Sequence, residues 1–132
     1  MEAEINSIHP HAHMLRTLYS DFSLLGDYAS EEMVLHQALR SPGVLPIRGL
    51  DQVSAYLGHL REATGGAMDA EIESIQANDF FGAVLGVMRL SSPVELAMPF
   101  CGLWRFENGL IVEHWENAHD AEAFLKAMTS PS

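Results

Sequence analysis

At Met68 the hydrophobic period of the chain changes from about 3.6 to about two, from a helical repeat to an extended one. Upstream, apolar residues recur at Ile8, Ala12, Leu15, Leu18, Tyr19, Phe22 and Leu25, and again at Leu50, Val53, Leu57 and Leu60. Each set forms one stripe of a helix. Ser7 is placed to cap the first, with Pro10 tolerated in its first turn, and Gly65-Gly66 ends the second. Between them EEMVLHQAL reads as a short strand, with Val34 and His36 on one face and Met33 and Leu35 on the other. Ser41-Pro42-Gly43 and Pro46 break that pattern into a loop. Downstream, strand candidates at 69–77, 80–90, 94–106 and 110–118 are parted by Asn78-Asp79, Ser91-Ser92-Pro93 and Glu107-Asn108-Gly109. A last helix spans about 120–128, capped by Asn117 or Asp120. Helices segregated from a run of strands predict an α+β domain: an antiparallel sheet with helices on one face. The 132 residues hold no repeat, low-complexity tract or linker, so one domain over 1–132 is expected.

Composition excludes several classes of function. Hydrophobic residues make up 48% and charged residues 19%, which is incompatible with a disordered chain. The formal net charge of −11 repels phosphate backbones and anionic lipid surfaces, so neither nucleic acid nor membrane is an expected partner. The longest apolar run, 80–88, falls well short of the roughly 18 residues a membrane-spanning helix needs. Cys101 is the single cysteine, which excludes an intramolecular disulfide and a zinc site built from several thiolates. The opening MEAEIN is acidic where a secretion signal is basic. Together these features lead to the expectation of a cytoplasmic protein.

His9, His11 and His13 alternate, but helical residues two apart point to nearly opposite sides, so the cluster reads as a solvated helix start and no metal is expected. There is no glycine-rich phosphate loop and no GxSxG. No cofactor is expected, and any chemistry would be proton transfer.

The segment WRFENGLIVEHWEN reads as a hairpin. With a type I turn and Gly109 left-handed in a bulge, Phe106 sits opposite Leu110, Trp104 opposite Val112, Gly102 opposite His114, and Phe100 opposite Glu116. All of these then share one face. A two-residue type I′ turn would shift the register by one; the bulge is preferred because it sets Trp104, Phe106 and Val112 together. His114 and Glu116 become polar groups on an apolar face, beside a missing side chain at Gly102, as a small-molecule pocket requires. Tyr19, Tyr28 and Tyr56 either line that pocket or pack in the core. Strand 80–90 is apolar on both faces, with Phe80, Val84 and Met88 against Phe81, Leu85 and Val87. Helices cover one side, and a second copy of the chain is the expected cover for the other. Arg105 and Trp115 would then lie near the interface.

FCGLWRFENGLIVEHWEN resembles the C-terminal hairpin of SnoaL-like polyketide cyclases, of the nuclear transport factor 2-like superfamily that also holds ketosteroid isomerase and limonene epoxide hydrolase. YASEEMVLHQ resembles the first-strand motif, and PIRGLDQVSAYLGHL the glycine that opens a pocket-closing helix. The resemblance implies a cone: a curved antiparallel sheet wrapped on N-terminal helices around an apolar pocket, often dimeric through the outer sheet face. It also implies an acid/base at Glu116, where the cyclases carry aspartate, and a general base at His36, where the isomerase has its own. His36 and Glu116 are then expected to face each other across the pocket. The isomerase's oxyanion-hole acid aligns near Gly102 and is missing. The expected function is a cofactor-free isomerase or cyclase acting on a small apolar carbonyl or polyketide-like compound. The alternative is a non-catalytic ligand-binding or dimerisation module. Epoxide hydrolysis ranks last, because its Asp-Arg-Asp set has no match and Arg89 and Arg105 are the only sheet arginines.

Overall fold

In a computed structural model, which describes residues 9–66, 68–91 and 94–129, helix α1 (Pro10–Ser20) begins at a histidine cap. Nδ1 of His9 accepts from the His11 backbone N–H at 3.0 Å, and Pro10 occupies the first turn. Ser7, the expected cap, lies outside the described residues. His9 reaches Asp79 at 2.7 Å and Nδ1 of His11 donates to the Asn78 carbonyl at 3.0 Å, so the helix start is tied to a turn between strands. The His11 ring stacks on Phe106.

After a 3-10 turn (Phe22–Leu24) and helix α2 (Leu25–Tyr28), the chain enters β1 (Ala29–His36). A short β2 (Ile47–Arg48), not foreseen from the sequence, precedes α3 (Leu50–Ala63). Then come β3 (Met68–Ala77), β4 (Phe81–Leu90), β5 (Leu96–Glu107), β6 (Leu110–Trp115) and α4 (Ala121–Thr129). The result is the α+β architecture, with one curved, unclosed six-stranded sheet in the order β2-β1-β6-β5-β4-β3. All neighbours are antiparallel except β1 and β6, which run parallel. Among the described residues no helix is long and apolar enough to cross a membrane.

The core lies between the sheet's inner face and α1 and α3. Leu15 and Leu18 meet Met33, Leu35, Ile75, Val84, Trp104, Phe106 and Ile111, all sealed from water. β3 carries a bulge between Ile72 and Ser74 in its pairing with β4, a device that bends a strand. There a Cβ on Gly86 would stand 2.3 Å from the Glu71 carbonyl oxygen, so only glycine admits this approach of two strands.

The β5–β6 hairpin corrects the expected register. Asn108 and Gly109 both have positive φ, 52° and 81°, and Glu107 pairs with Leu110, as in a two-residue type I′ turn. The bulge sits at Val112 instead, because Phe106 pairs with Ile111 and Arg105 with Glu113. Ile111, expected outside, is therefore buried, and Leu110, expected inside, is exposed. The turn shifts the parity by one and the bulge shifts it back. His114 and Glu116 thus regain the inner face with Trp104 and Gly102, although His114 pairs with Trp104 rather than Gly102.

Candidate functional site

The curved inner face, α3 and α4 enclose a cavity of about 360 Å³. Tyr19, Phe100, Gly102, His114 and Glu116 line its polar end, and Leu57, Leu60, Met68, Met88, Met98 and Phe124 line the rest. Exposed Ser20, Asp21, Arg61 and Asp69 rim the mouth.

Glu116 follows the last residue of β6. Its N–H donates to the His36 carbonyl at 2.9 Å, which continues the ladder and turns the side chain inward. Oε1 accepts from the Tyr56 hydroxyl at 2.8 Å, and the Ala38 backbone N–H also bonds the carboxyl. Gly49, at φ +92°, begins the helix that carries Tyr56, and its N–H donates to the Met33 carbonyl at 2.8 Å. Burial raises Glu116 to a pKa of about 7, outweighing the Tyr56 and Ala38 hydrogen bonds and nearby Arg40, which favour the charged form. The Tyr56 hydroxyl is pushed far above its usual range, first by burial and then by the adjacent carboxyl.

His114 is buried, and Nδ1 donates to the Leu103 carbonyl at 2.8 Å. Its ring stacks on Trp104 at 3.5 Å between centroids. Burial depresses its pKa to about 3, so it is a neutral imidazole at ordinary pH. Trp104 in turn donates Nε1–H to the Tyr19 hydroxyl at 3.2 Å.

His36 is not in this cavity, which corrects the expectation that it faces Glu116. Val34 and His36 do share a face, but it is the outer one. Met33 and Leu35 are the fully buried pair, and parallel pairing with β6 sets Leu35 beside His114 and His36 beside Trp115. On that outer face Nε2 of His36 lies 2.6 Å from Oε2 of Glu113, and its ring stacks on Trp115 with an interplanar angle of 6°. Arg105 Nε donates to the other Glu113 oxygen at 3.0 Å. Burial works against charge on Glu113, but the hydrogen bonds from His36 and Arg105 prevail and hold it below the usual carboxylate range.

Of the other expected pocket residues, Tyr19, Phe100, Gly102 and His114 line the cavity. Tyr56 acts on it through Glu116. Trp104 backs His114 and Tyr19 from within the core. Phe106 is core, under His11, and Val112 sits in the bulge, so neither lines the cavity. Sequence reasoning missed Leu57, Leu60, Phe124 and the three methionines. Leu57, Leu60 and Phe124 carry the same helical stripe as core residues, so no sequence signal sets them apart. Among the described residues no group of three or more His, Cys, Asp and Glu side chains comes within reach of one metal ion.

Comparisons with known proteins agree with this fold. Bal32a, from a soil-derived mobile gene cassette, is similar at a TM-score of 0.78 and 20% identity, covering 89% of this chain and 95% of that one. A Xanthomonas campestris protein of unknown function with a cystatin-like fold matches at 0.76 and 21%, covering 90% and 97%. TerC, co-crystallised with polyporic acid, matches at 0.74 and 14%, covering 92% and 100%. These likenesses establish the fold. A comparison with curated proteins finds no match. The model of the SnoaL-like domain matches residues 18–114, which run from the last turn of α1 through α2, α3 and the strands to His114 in β6, and the chain therefore belongs to the SnoaL-like domain family.

Proposed function

We propose that the cavity binds a small, neutral, largely apolar carbonyl compound of polyketide-like character, and that Glu116 moves a proton on it without a cofactor. The observation that carries this reading is a carboxyl group buried in an apolar cavity, with its pKa raised to about 7. Such a group is half ionised at neutral pH, and a general base or acid works best there. The carboxylate takes a proton from the carbon α to a carbonyl, and the electron pair moves to the carbonyl oxygen as an enolate. In an isomerisation, the same carboxyl returns the proton to another carbon. In an aldol cyclisation, the enolate carbon bonds to a second carbonyl carbon, and the proton goes to the new alkoxide. Glu116 does this alone, since His36 is on the outer face. Membership of the SnoaL-like family supports a small-molecule site.

The same reading includes a homodimer through the outer sheet face. Phe81, Leu85 and Leu103 are exposed there, around Cys101 and Trp115, and the His36–Glu113–Arg105 network lies beside them. A single cysteine supports a reducing compartment, the cytoplasm.

The test is deuterium exchange of β-tetralone in heavy water, followed by proton NMR. Exchange faster than buffer that Glu116→Gln abolishes supports proton transfer. If β-tetralone binds, as seen by thermal shift, but exchanges no faster than in buffer, the domain is a ligand-binding module.

A further inference from the structure

Two polar groups at the cavity's inner end are left with unused hydrogen-bonding capacity, and both meet at Gly102. The first is His114. Its Nδ1 must carry the ring proton, because the Leu103 carbonyl can only accept. Nε2 is therefore a bare acceptor, and no described protein group bonds it. Among the described residues every side-chain nitrogen or oxygen sealed from solvent has a partner, so Nε2 is open to solvent, and the space His114 lines is this cavity. The second is Tyr19. Its oxygen accepts from Trp104, while its own O–H is donated to no described protein group. A Cβ built on Gly102 would stand 2.3 Å from the Tyr19 hydroxyl and 3.3 Å from Cε1 of His114. The Tyr19 hydroxyl therefore takes up the space that a side chain at position 102 would fill, and it and the edge of the His114 ring come together beside Gly102, where all three residues line the cavity.

We propose that the cavity wall beside Gly102 is a hydroxyl-binding subsite, where one hydroxyl of a neutral ligand accepts from Tyr19 and donates to Nε2 of His114. The inference deepens the proposed function and rests on the cavity binding a small molecule. Chemistry selects a hydroxyl over the alternatives. A carbonyl oxygen would satisfy Tyr19 but turn a lone pair toward the lone pair of Nε2. A carboxylate would add repulsion from Glu116, which lines the same cavity. An ether would leave Nε2 unpaired in a desolvated place, which costs more than the bond itself is worth. A ligand that shuts this end off from water must itself bring a group that both accepts and donates, as a hydroxyl does. The ligand class is a phenol, enol or alcohol whose apolar body fills the methionine-lined end.

The test compares β-naphthol with its methyl ether by calorimetric titration into the whole chain, with nitrogen NMR of labelled histidine. The expected result is a preference for the naphthol of roughly 10- to 100-fold, with the Nε2 resonance of His114 moving on binding. Tyr19→Phe and His114→Phe should each remove most of that preference. The ligand pair carries the test in the native protein even if a variant fails to fold. Equal affinity for naphthol and ether, or a His114 resonance that naphthol leaves unmoved, overturns the subsite and leaves the cavity reading standing. Failure of both compounds to bind overturns both.

Discussion

The Tyr56 hydroxyl donates to Oε1 of Glu116 at 2.8 Å, joining the middle of α3 to the end of β6. This bond is the protein's direct side-chain grip on the candidate acid/base. It stabilises the charged form, yet burial is the larger effect, and the carboxyl stays near pKa 7.

Tyr56→Phe should therefore raise the Glu116 pKa further. A hydrogen bond to a charged group is worth about 1.5–3 kcal/mol, which corresponds to a rise of about one to two units. The carboxylic-acid band in infrared spectra, followed against pH, measures it. A titration unchanged from wild type would mean the bond contributes nothing to the ionised form.

Glu116→Gln should change how stability depends on pH. The folded pKa of Glu116 lies above the ordinary 4.5, so its contribution to stability is full below about pH 4.5 and is lost as pH rises to about 7. The wild type should lose on the order of 3 kcal/mol over that window from this group, and the variant should not. His114 acts in the opposite direction. Its folded pKa is depressed from 6.5 to about 3, so its contribution is full above about pH 6.5 and is lost as pH falls toward 3. Urea unfolding at several pH values should show the alkaline-side decline vanish in Glu116→Gln while the acid-side decline persists.

Two glycines on the inner face should differ in their tolerance of alanine. At Gly86 the new Cβ meets the Glu71 carbonyl oxygen at 2.3 Å, part of the strand backbone. At Gly102 it meets the end of the Tyr19 side chain at the same 2.3 Å. A side chain yields more readily than a ladder, so Gly86→Ala should cost roughly 3 kcal/mol or more, and Gly102→Ala about 1–2. The Gly102 variant should lose the Trp104–Tyr19 bond, visible as a shift of the tryptophan indole N–H resonance.

Leu103→Lys should split the proposed dimer. Leu103 lies between Ala83 and Trp115 on the exposed outer face, and a lysine there would bury a charge against its symmetry mate. Sedimentation should find the native protein at twice 14.6 kDa and the variant at 14.6 kDa. Native protein sedimenting at the single-chain mass at micromolar concentration would contradict the dimer.

Helical stripes in α1 and α3, the switch of period at Met68 and the turn residues between strands all act within a few residues, so the order of the main elements, β2 and the break before α2 apart, could be read from the chain directly. The same holds for the separation of Val34 and His36 from Met33 and Leu35, because alternation is a local property of an extended chain. Which of those two pairs turns inward is not local. It depends on β1 lying parallel to β6, a pairing between segments about 80 residues apart, and that pairing sent His36 outside. The hairpin shows the same division. Asn108-Gly109 marks a turn in the sequence, but whether the extra residue sits in the turn or at Val112 depends on whether Ile111 or Val112 packs under the helices, and Ile111 is the larger. Glu116 could be named from its neighbours along the chain. Its raised pKa could not, because desolvation comes from α3, α4 and the far strands closing over it in three dimensions.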